Sequence, residues 1–158
     1  MPETAFGGDI AHNWELWIGR TTIVDETPTT TWTQIFGFTD LPFPDQVPED
    51  IDATHMQSPG RARETIPGYL PVADWSQEKQ LWGDAGDDLL KTLSDLTRAG
   101  TREIVQFEFN VDPDGTSYRL TFRGYVNSFI PTGSAGGIAM ANVNFKMFNT
   151  VTNSRVIP

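Results

Sequence analysis

"EIVQFEFNV", Glu103–Val111, is the stretch on which the reading of the fold turns. In an extended chain, successive side chains point to opposite faces. Val105, Phe107, Phe109 and Val111 therefore share one face, and Gln106, Glu108 and Asn110 share the other. "DPDG" (Asp112–Gly115) then turns the chain. Beyond it, "SYRLTFRGYVNSFI" (Ser117–Ile130) sets Tyr118, Leu120, Phe122 and Val126 against Arg119, Thr121, Arg123 and Asn127. After "PTGSAGG" (Pro131–Gly137), "IAMANVNFKMF" (Ile138–Phe148) alternates again, with Ala139, Ala141, Val143, Phe145 and Met147 on one side. Three alternating strands joined by turns predict an antiparallel meander with one buried face.

Toward the N-terminus, "ELWIG" (Glu15–Gly19) and "WTQIFGFT" (Trp32–Thr39) are aromatic-rich strands between Thr, Pro and Asp punctuation. "IVDETPTTT" (Ile23–Thr31) reads as a loose hairpin loop between them. "LPFPDQVPED" (Leu41–Asp50) carries three prolines and cannot be a central strand. "DIDATH" (Asp50–His55) is a short alternating strand, and "VADWSQEKQLW" (Val72–Trp82) alternates weakly enough to be a further one. One helix interrupts the pattern over about 86–99. Leu89, Leu93 and Leu96 recur at helical spacing, with Leu90 and Thr97 widening the stripe. Asp84, Asp87 and Asp88 suit its positive N-terminal end, Arg98 its C-terminal end, and Gly100 stops it. The fold class expected is mainly β: a β-sandwich or open barrel of antiparallel strands with one flanking α-helix. A single domain over 1–158 carries a long extended loop at about 57–72, with no internal repeat.

The chain has 158 residues and no cysteine, which removes disulfides, thiolate zinc sites and cysteine nucleophiles together. Its N-terminus lacks a basic region followed by an apolar run, and no apolar stretch approaches the ~18 residues of a membrane span. The expectation is a soluble chain made in a cytoplasm. A formal charge of −10 repels phosphate backbones, so gripping nucleic acid is not its task. That charge serves solubility, or lets a surface lie close to DNA without sticking.

Catalytic signatures fail one by one. Asn110, Asp112, Asp114 and Gly115 match the opening of a calcium loop, but the twelfth position is Thr121 and the flanks read as strands. A hairpin turn on Asp114-Gly115 accounts for the same residues. His12 and His55 stand far apart without metal-type spacing. "GSAGG" (Gly133–Gly137) lacks the lysine of a phosphate loop. No serine sits in a nucleophile elbow, and nothing singles out a glycosidase pair among the many carboxylates. The expectation is a non-enzyme with no cofactor and no metal.

What remains is "QSPGRARETIPGYLPV", Gln57–Val72, rich in Pro, Gly and Arg. Long structureless connections inside compact domains are uncommon and usually functional or disordered. Ile66, Tyr69, Leu70 and Val72 are apolar residues misplaced on a solvated arm. Arg61 and Arg63 beside them suit carboxylate pairing, and this chain is rich in carboxylates. The segment reads as an arm that docks on another copy, and head-to-tail contacts of that kind generate rings or filaments.

The ordered set of elements resembles the major tail tube protein of long-tailed, non-contractile bacteriophages. The resemblance runs over about residues 14–152. It rests on "DIDATHMQSPGRARETIPG" (Asp50–Gly68), the acidic-started helix "GDDLLKTLSDL" (Gly86–Leu96), the "DPDG" turn, and "YRLTFRGYVNSFIPTGSAGGIAMANVNFKMFNTVT" (Tyr118–Thr152). It implies a virion protein of the tail, assembled in the host bacterial cytoplasm. Subunits would join their sheets into hexameric rings stacked as a tube that delivers DNA. It implies inter-subunit contacts through Arg61, Arg63, Glu64, Ile66, Tyr69 and Leu70. The partners implied are further copies of the chain, a tape measure protein in the lumen, tail tip or baseplate proteins and a tail terminator. Genomic DNA would pass without specific binding, and the tube would touch no membrane. With the chain ending at Pro158, no C-terminal immunoglobulin-like domain is expected. Polar strand faces supply the lumen candidates Asp50, Asp52, Thr54, Gln106 and Glu108. Tubes of contractile tails and secretion needles share the architecture. A reading of another class is a carbohydrate- or protein-binding β-sandwich module, for which five tryptophans would supply stacking platforms.

Overall fold

The computed structural model describes residues 14–57, 59–111, 119–152 and 155, with the backbone alone for residue 61. The Asp114-Gly115 turn, Tyr118, His12 and the Arg61 side chain lie outside the described residues. The strands are β1 (Glu15–Val24), β2 (Thr27–Ile35), β3 (Asp50–Asp52), β4 (Thr65–Pro67), β5 (Ala73–Gln80), β6 (Val105–Asn110), β7 (Arg119–Thr132) and β8 (Met140–Thr150). The helix α1 spans Ala85–Arg98. Six strands make one antiparallel sheet in the order β2-β1-β6-β7-β8-β5, and β3 pairs with β4 apart from it. The expected meander is β6-β7-β8, and the weakly alternating segment is the strand β5. The edges of the sheet meet where Phe38, just past β2, bridges to Lys79 of β5, and Gln80 N–H donates to Gly37 C=O at 2.8 Å. Of the two arrangements expected, the body is the barrel: one sheet rolled on itself and closed at a narrow seam.

The inward face carries the core. Leu16, Ile18, Val105, Phe107, Phe109, Val126, Val143, Phe145 and Met147 are fully or almost fully buried. Trp75 stacks on Phe145 at 5.0 Å between ring centroids, and Phe145 on Phe107 at 4.3 Å. The Trp75 indole N–H donates to Pro42 C=O at 2.7 Å. That bond holds the proline-rich segment against the body, where Leu41 and Phe43 pack on the core.

The helix begins and ends by local chemistry. Asp84 accepts from Asp87 N–H at 3.1 Å as N-cap. Past Arg98, Gly100 takes φ +83°, and Thr101 N–H and Gly100 N–H return to Leu96 and Thr97 carbonyls at 3.0 and 3.1 Å. Leu90 and Leu93 enter the core, and the helix packs on β7 and β2. Strand β7 is bulged between Val126 and Ser128. There Thr97 Oγ1 donates to Val126 C=O at 2.6 Å, and Phe129 N–H donates to Ser94 Oγ at 3.1 Å. Two helix hydroxyls thus satisfy polar groups at an irregular point of the sheet, where unpaired buried groups are costly.

Two expectations change. "IVDETPTTT" is not a loose loop: β1 and β2 run through it in continuous register to a two-residue turn, with Asp25 and Glu26 at φ +50° and +63°. A primed turn matches the twist of the flanking strands, and acidic residues at both positions hid it from a search for Asn-Gly. The outward polar face of β6 is also not solvated. Glu108 is 0 % exposed, with Arg155 donating to both carboxylate oxygens at 2.6 and 2.7 Å. The Arg155 guanidinium lies 4.2 Å from the centre of the Trp17 ring, and its carbonyl accepts from Arg119 at 3.0 Å. A residue from the C-terminal end thus covers a strip that alternation alone assigns to water.

Candidate functional site

The segment after the proline-rich cover is a projecting hairpin. Asp50, Ile51 and Asp52 pair with Pro67, Ile66 and Thr65. Ala53 N–H donates to Glu64 C=O at 2.8 Å, and Glu64 N–H to Thr54 Oγ1 at 2.8 Å. A short 3-10 turn, Pro59–Arg61, sits in the connection, with Gly60 at φ +66°. The arm closes where Glu49 N–H donates to Tyr69 C=O at 3.0 Å. Its strands contact each other and no other strand or helix among the described residues. The Gln46 amide ties its base down, donating to Pro71 C=O at 2.5 Å and to Phe148 C=O at the end of β8.

The expected loop at 57–72 is therefore half of a hairpin whose other half is the expected strand at Asp50. Strand alternation gives this hairpin two faces. Ile51 and Ile66 stand opposite each other on one face, both half exposed, and Asp50 and Asp52 lie on the other. Tyr69 is 87 % exposed, with Leu70 half exposed beside it. Glu64 lies 3.4 Å from His55 Nε2, while Arg63 has no ion-pair partner among the described residues. Hydrogen bonds from the Thr54 hydroxyl and then its backbone N–H hold the Asp52 carboxyl below its usual range. The structure thus gathers Asp50, Asp52, Thr54, Arg63, Glu64, Ile66, Tyr69 and Leu70 on one arm. Gln106 and Glu108 are elsewhere, on β6. The buried and doubly bonded Glu108 presents no free carboxylate, which removes it from the lumen candidates.

A second feature escaped the sequence reading. Next to the seam, a cleft of ≈ 560 Å³ is lined by Trp14, Ile35, Phe36, Phe38, Leu41 and Pro42, with Asp40 on its exposed rim. Phe36 stacks on Trp82 at 5.3 Å with the rings 2° from parallel, and both rings are exposed. The signal was present in the aromatics of "IFGF" (Ile35–Phe38) and "QLWG" (Gln80–Gly83), but period-2 counting assigns them to strands and stops there. Among the described residues, no group of three or more His, Asp or Glu could hold a metal, and no helix is long and apolar enough to cross a membrane.

Solved structures share this architecture. A chain from the tail of an empty gene transfer agent particle, refined with C6 symmetry, superposes with a TM-score of 0.59 at 18% identity, covering 78% of this chain and 87% of its own. The SPP1 tail tube gives 0.55 at 14% identity, over 90% of this chain and 78% of its own. This is the tail-tube fold. A chain of the sheath–tube complex of an extracellular contractile injection system (PVC, extended state) gives 0.60 at 14% identity and 93% of both chains. The tail-tube fold is thus reached at identities where sequence carries little, and no protein-family model and no curated protein matches the chain.

Proposed function

We propose that this chain is a structural virion subunit that self-assembles into stacked hexameric rings, forming the tail tube through which DNA is delivered. The observation that carries the reading is the fold itself, matched over most of the chain to tail and tube chains. The hairpin arm supports it, because a body that exposes Ile51, Ile66, Tyr69 and Leu70 on a separate element leaves apolar surface to be covered by another copy. In this reading the arm's apolar face docks on a neighbour, and Asp50, Asp52 and Thr54 on its other face border the channel with Gln106. Each chain brings a charge of −10, so a ring of six repels phosphates within the ~8 Å screening length and DNA slides without binding. A tape measure protein occupies the lumen during assembly, with baseplate and terminator proteins at the ends. The reading assigns no catalysis.

The likeness to the contractile injection system supports a neighbouring alternative, a tube inside a contractile sheath. Electron microscopy and sedimentation of concentrated protein test the proposal. Six-fold rings and tubes are expected. A persistent monomer would sink it and favour the binding-module reading.

A further inference from the structure

The body carries a cleft beside its seam with Trp14, Phe36 and Phe38 in its wall, and the arm exposes Ile66, Tyr69 and Leu70. We propose that these are the two halves of one contact: the cleft beside the barrel seam receives the Ile66–Leu70 end of the arm from a second copy of this chain. The proposal rests on the tube reading and assigns the receiving surface that reading leaves open.

Shape, chemistry and charge all point this way. The cleft, at ≈ 560 Å³, falls in the roughly 300–1,000 Å³ range of pockets that enclose a ligand-sized group. Trp14, Phe36 and Phe38 contribute rings to its wall, beside the polar groups of Gln34, Thr39 and Gln77. The arm offers Tyr69 and Leu70 at its base and Ile66 one strand pair out, apolar surface for the rings and a phenol hydroxyl for the polar groups of the wall. Arg63 carries a charge with no ion-pair partner among the described residues, and Asp40 on the cleft rim carries an exposed carboxylate. A guanidinium arriving with the arm meets the Asp40 carboxylate, which attracts it. Knob and socket lie on different parts of one molecule, so the contact is heterologous and propagates from copy to copy.

The absence of cysteine makes the test clean. One batch carries Tyr69→Cys alone and a second Thr39→Cys alone, on the cleft wall. The two are mixed, allowed to assemble and oxidised. Disulfide-linked dimers are expected on a non-reducing gel, whereas a mix of Tyr69→Cys with Asn142→Cys, on the outer sheet face, gives none. Val72→Cys in place of Tyr69→Cys repeats the test with Ile66, Tyr69 and Leu70 intact. Separately, Asp40→Lys on the cleft rim should raise the critical concentration for assembly about ten-fold or more, with an unchanged thermal midpoint. Tubes that form while neither cysteine mix cross-links, or that cross-link equally through Asn142→Cys, would overturn the docking and spare the tube. A parent that forms no rings or tubes would overturn the tube reading. Dimers through Thr39→Cys in that case would leave the docking standing as a pairwise contact, and their absence would overturn it too.

Discussion

Gly124 shows how one residue fixes the geometry of the sheet. A Cβ built there would lie 2.0 Å from the carbonyl oxygen of Lys146 and 2.8 Å from Met147 Cα, so β7 and β8 approach closely only because the side chain is missing. The first β7 bulge falls between Arg123 and Gly124. Gly124→Ala forces two backbones apart, and a loss of about 3 kcal/mol is expected, at the upper end of overpacking costs. Equilibrium denaturation reads it as a lower midpoint at unchanged slope. The Glu108–Arg155 pair is the other residue-scale device. Donating hydrogen bonds to the Glu108 carboxylate raises the Arg155 pKa above its usual value, and the pair is taken out of water on an outward face. Arg155→Ala leaves Glu108 with Arg119 Nε at 3.9 Å as its remaining ion-pair partner among the described residues. Such a stranded carboxylate costs roughly 3 kcal/mol. Replacing Glu108 and Arg155 together with Gln and Met should recover most of that loss, a comparison that separates a buried charge from lost packing.

At the scale of elements, the junction of β5 and α1 holds the seam closed. Lys79 points inward from β5 and is fully buried, its ammonium bonded to Asp87 and, at 2.7 Å, to Gln80 C=O. Asp87 also accepts from Trp82 and Gly83 N–H at 2.7 and 2.8 Å. Burial pushes the Asp87 carboxyl up, but the bonds from Lys79, Gly83 and Trp82 together bring it below its ordinary value. Its native pKa is thus lower than in the unfolded chain. The contribution is complete above the unfolded Asp value near ~3.9 and disappears as the pH falls through the native value. Thermal midpoints followed down from neutral pH should fall below about pH 4. In Asp87→Asn that acid step is blunted, and the starting point drops because the buried Lys79 ammonium loses its carboxylate, at a cost of roughly 3–5 kcal/mol. Asp74 is lowered as well, by bonds from Lys146 and Asn144, but it is exposed and contributes little. The elements themselves were largely legible. Period-2 runs placed β6, β7 and β8, and leucine spacing with Asp84 and Gly100 placed α1. The inward Lys79 was not legible, because a lysine in an alternating strand reads as solvent-facing until its partner eight residues on is folded back. Nor was β4, since three residues that include Pro67 are too few for periodicity.

For the whole molecule, the decisive property is that the arm is built separately from the barrel. Sequence reading found its apolar residues and arginines but drew its boundary in the wrong place, since pairing between Asp50–Asp52 and Thr65–Pro67 is long-range relative to the length of each strand. The cleft was invisible, being assembled from β1, β2, the segment 36–42 that follows β2 and Gln77 of β5 only when the barrel closes. The chain enters and leaves the arm at one point, with Glu49 N–H bonded to Tyr69 C=O at 3.0 Å. Residues 49–69 can therefore be replaced by a short Gly-Ser-Gly turn without moving Pro48 or Leu70. The strands removed contact no other strand or helix among the described residues, and the core loses no residue, so thermal unfolding should be nearly unchanged. Assembly is another matter. Each large apolar side chain buried at a contact contributes roughly 1.5–3 kcal/mol before ordering costs, and the deletion removes Ile51, Ile66 and Tyr69 from every subunit at once. Tubes should be lost from the shortened protein while its melting transition stays cooperative, observed by calorimetry and electron microscopy on one preparation. Tubes of normal length would show that the arm is not the assembly device, and a collapsed melting transition would show that it belongs to the fold of the single chain.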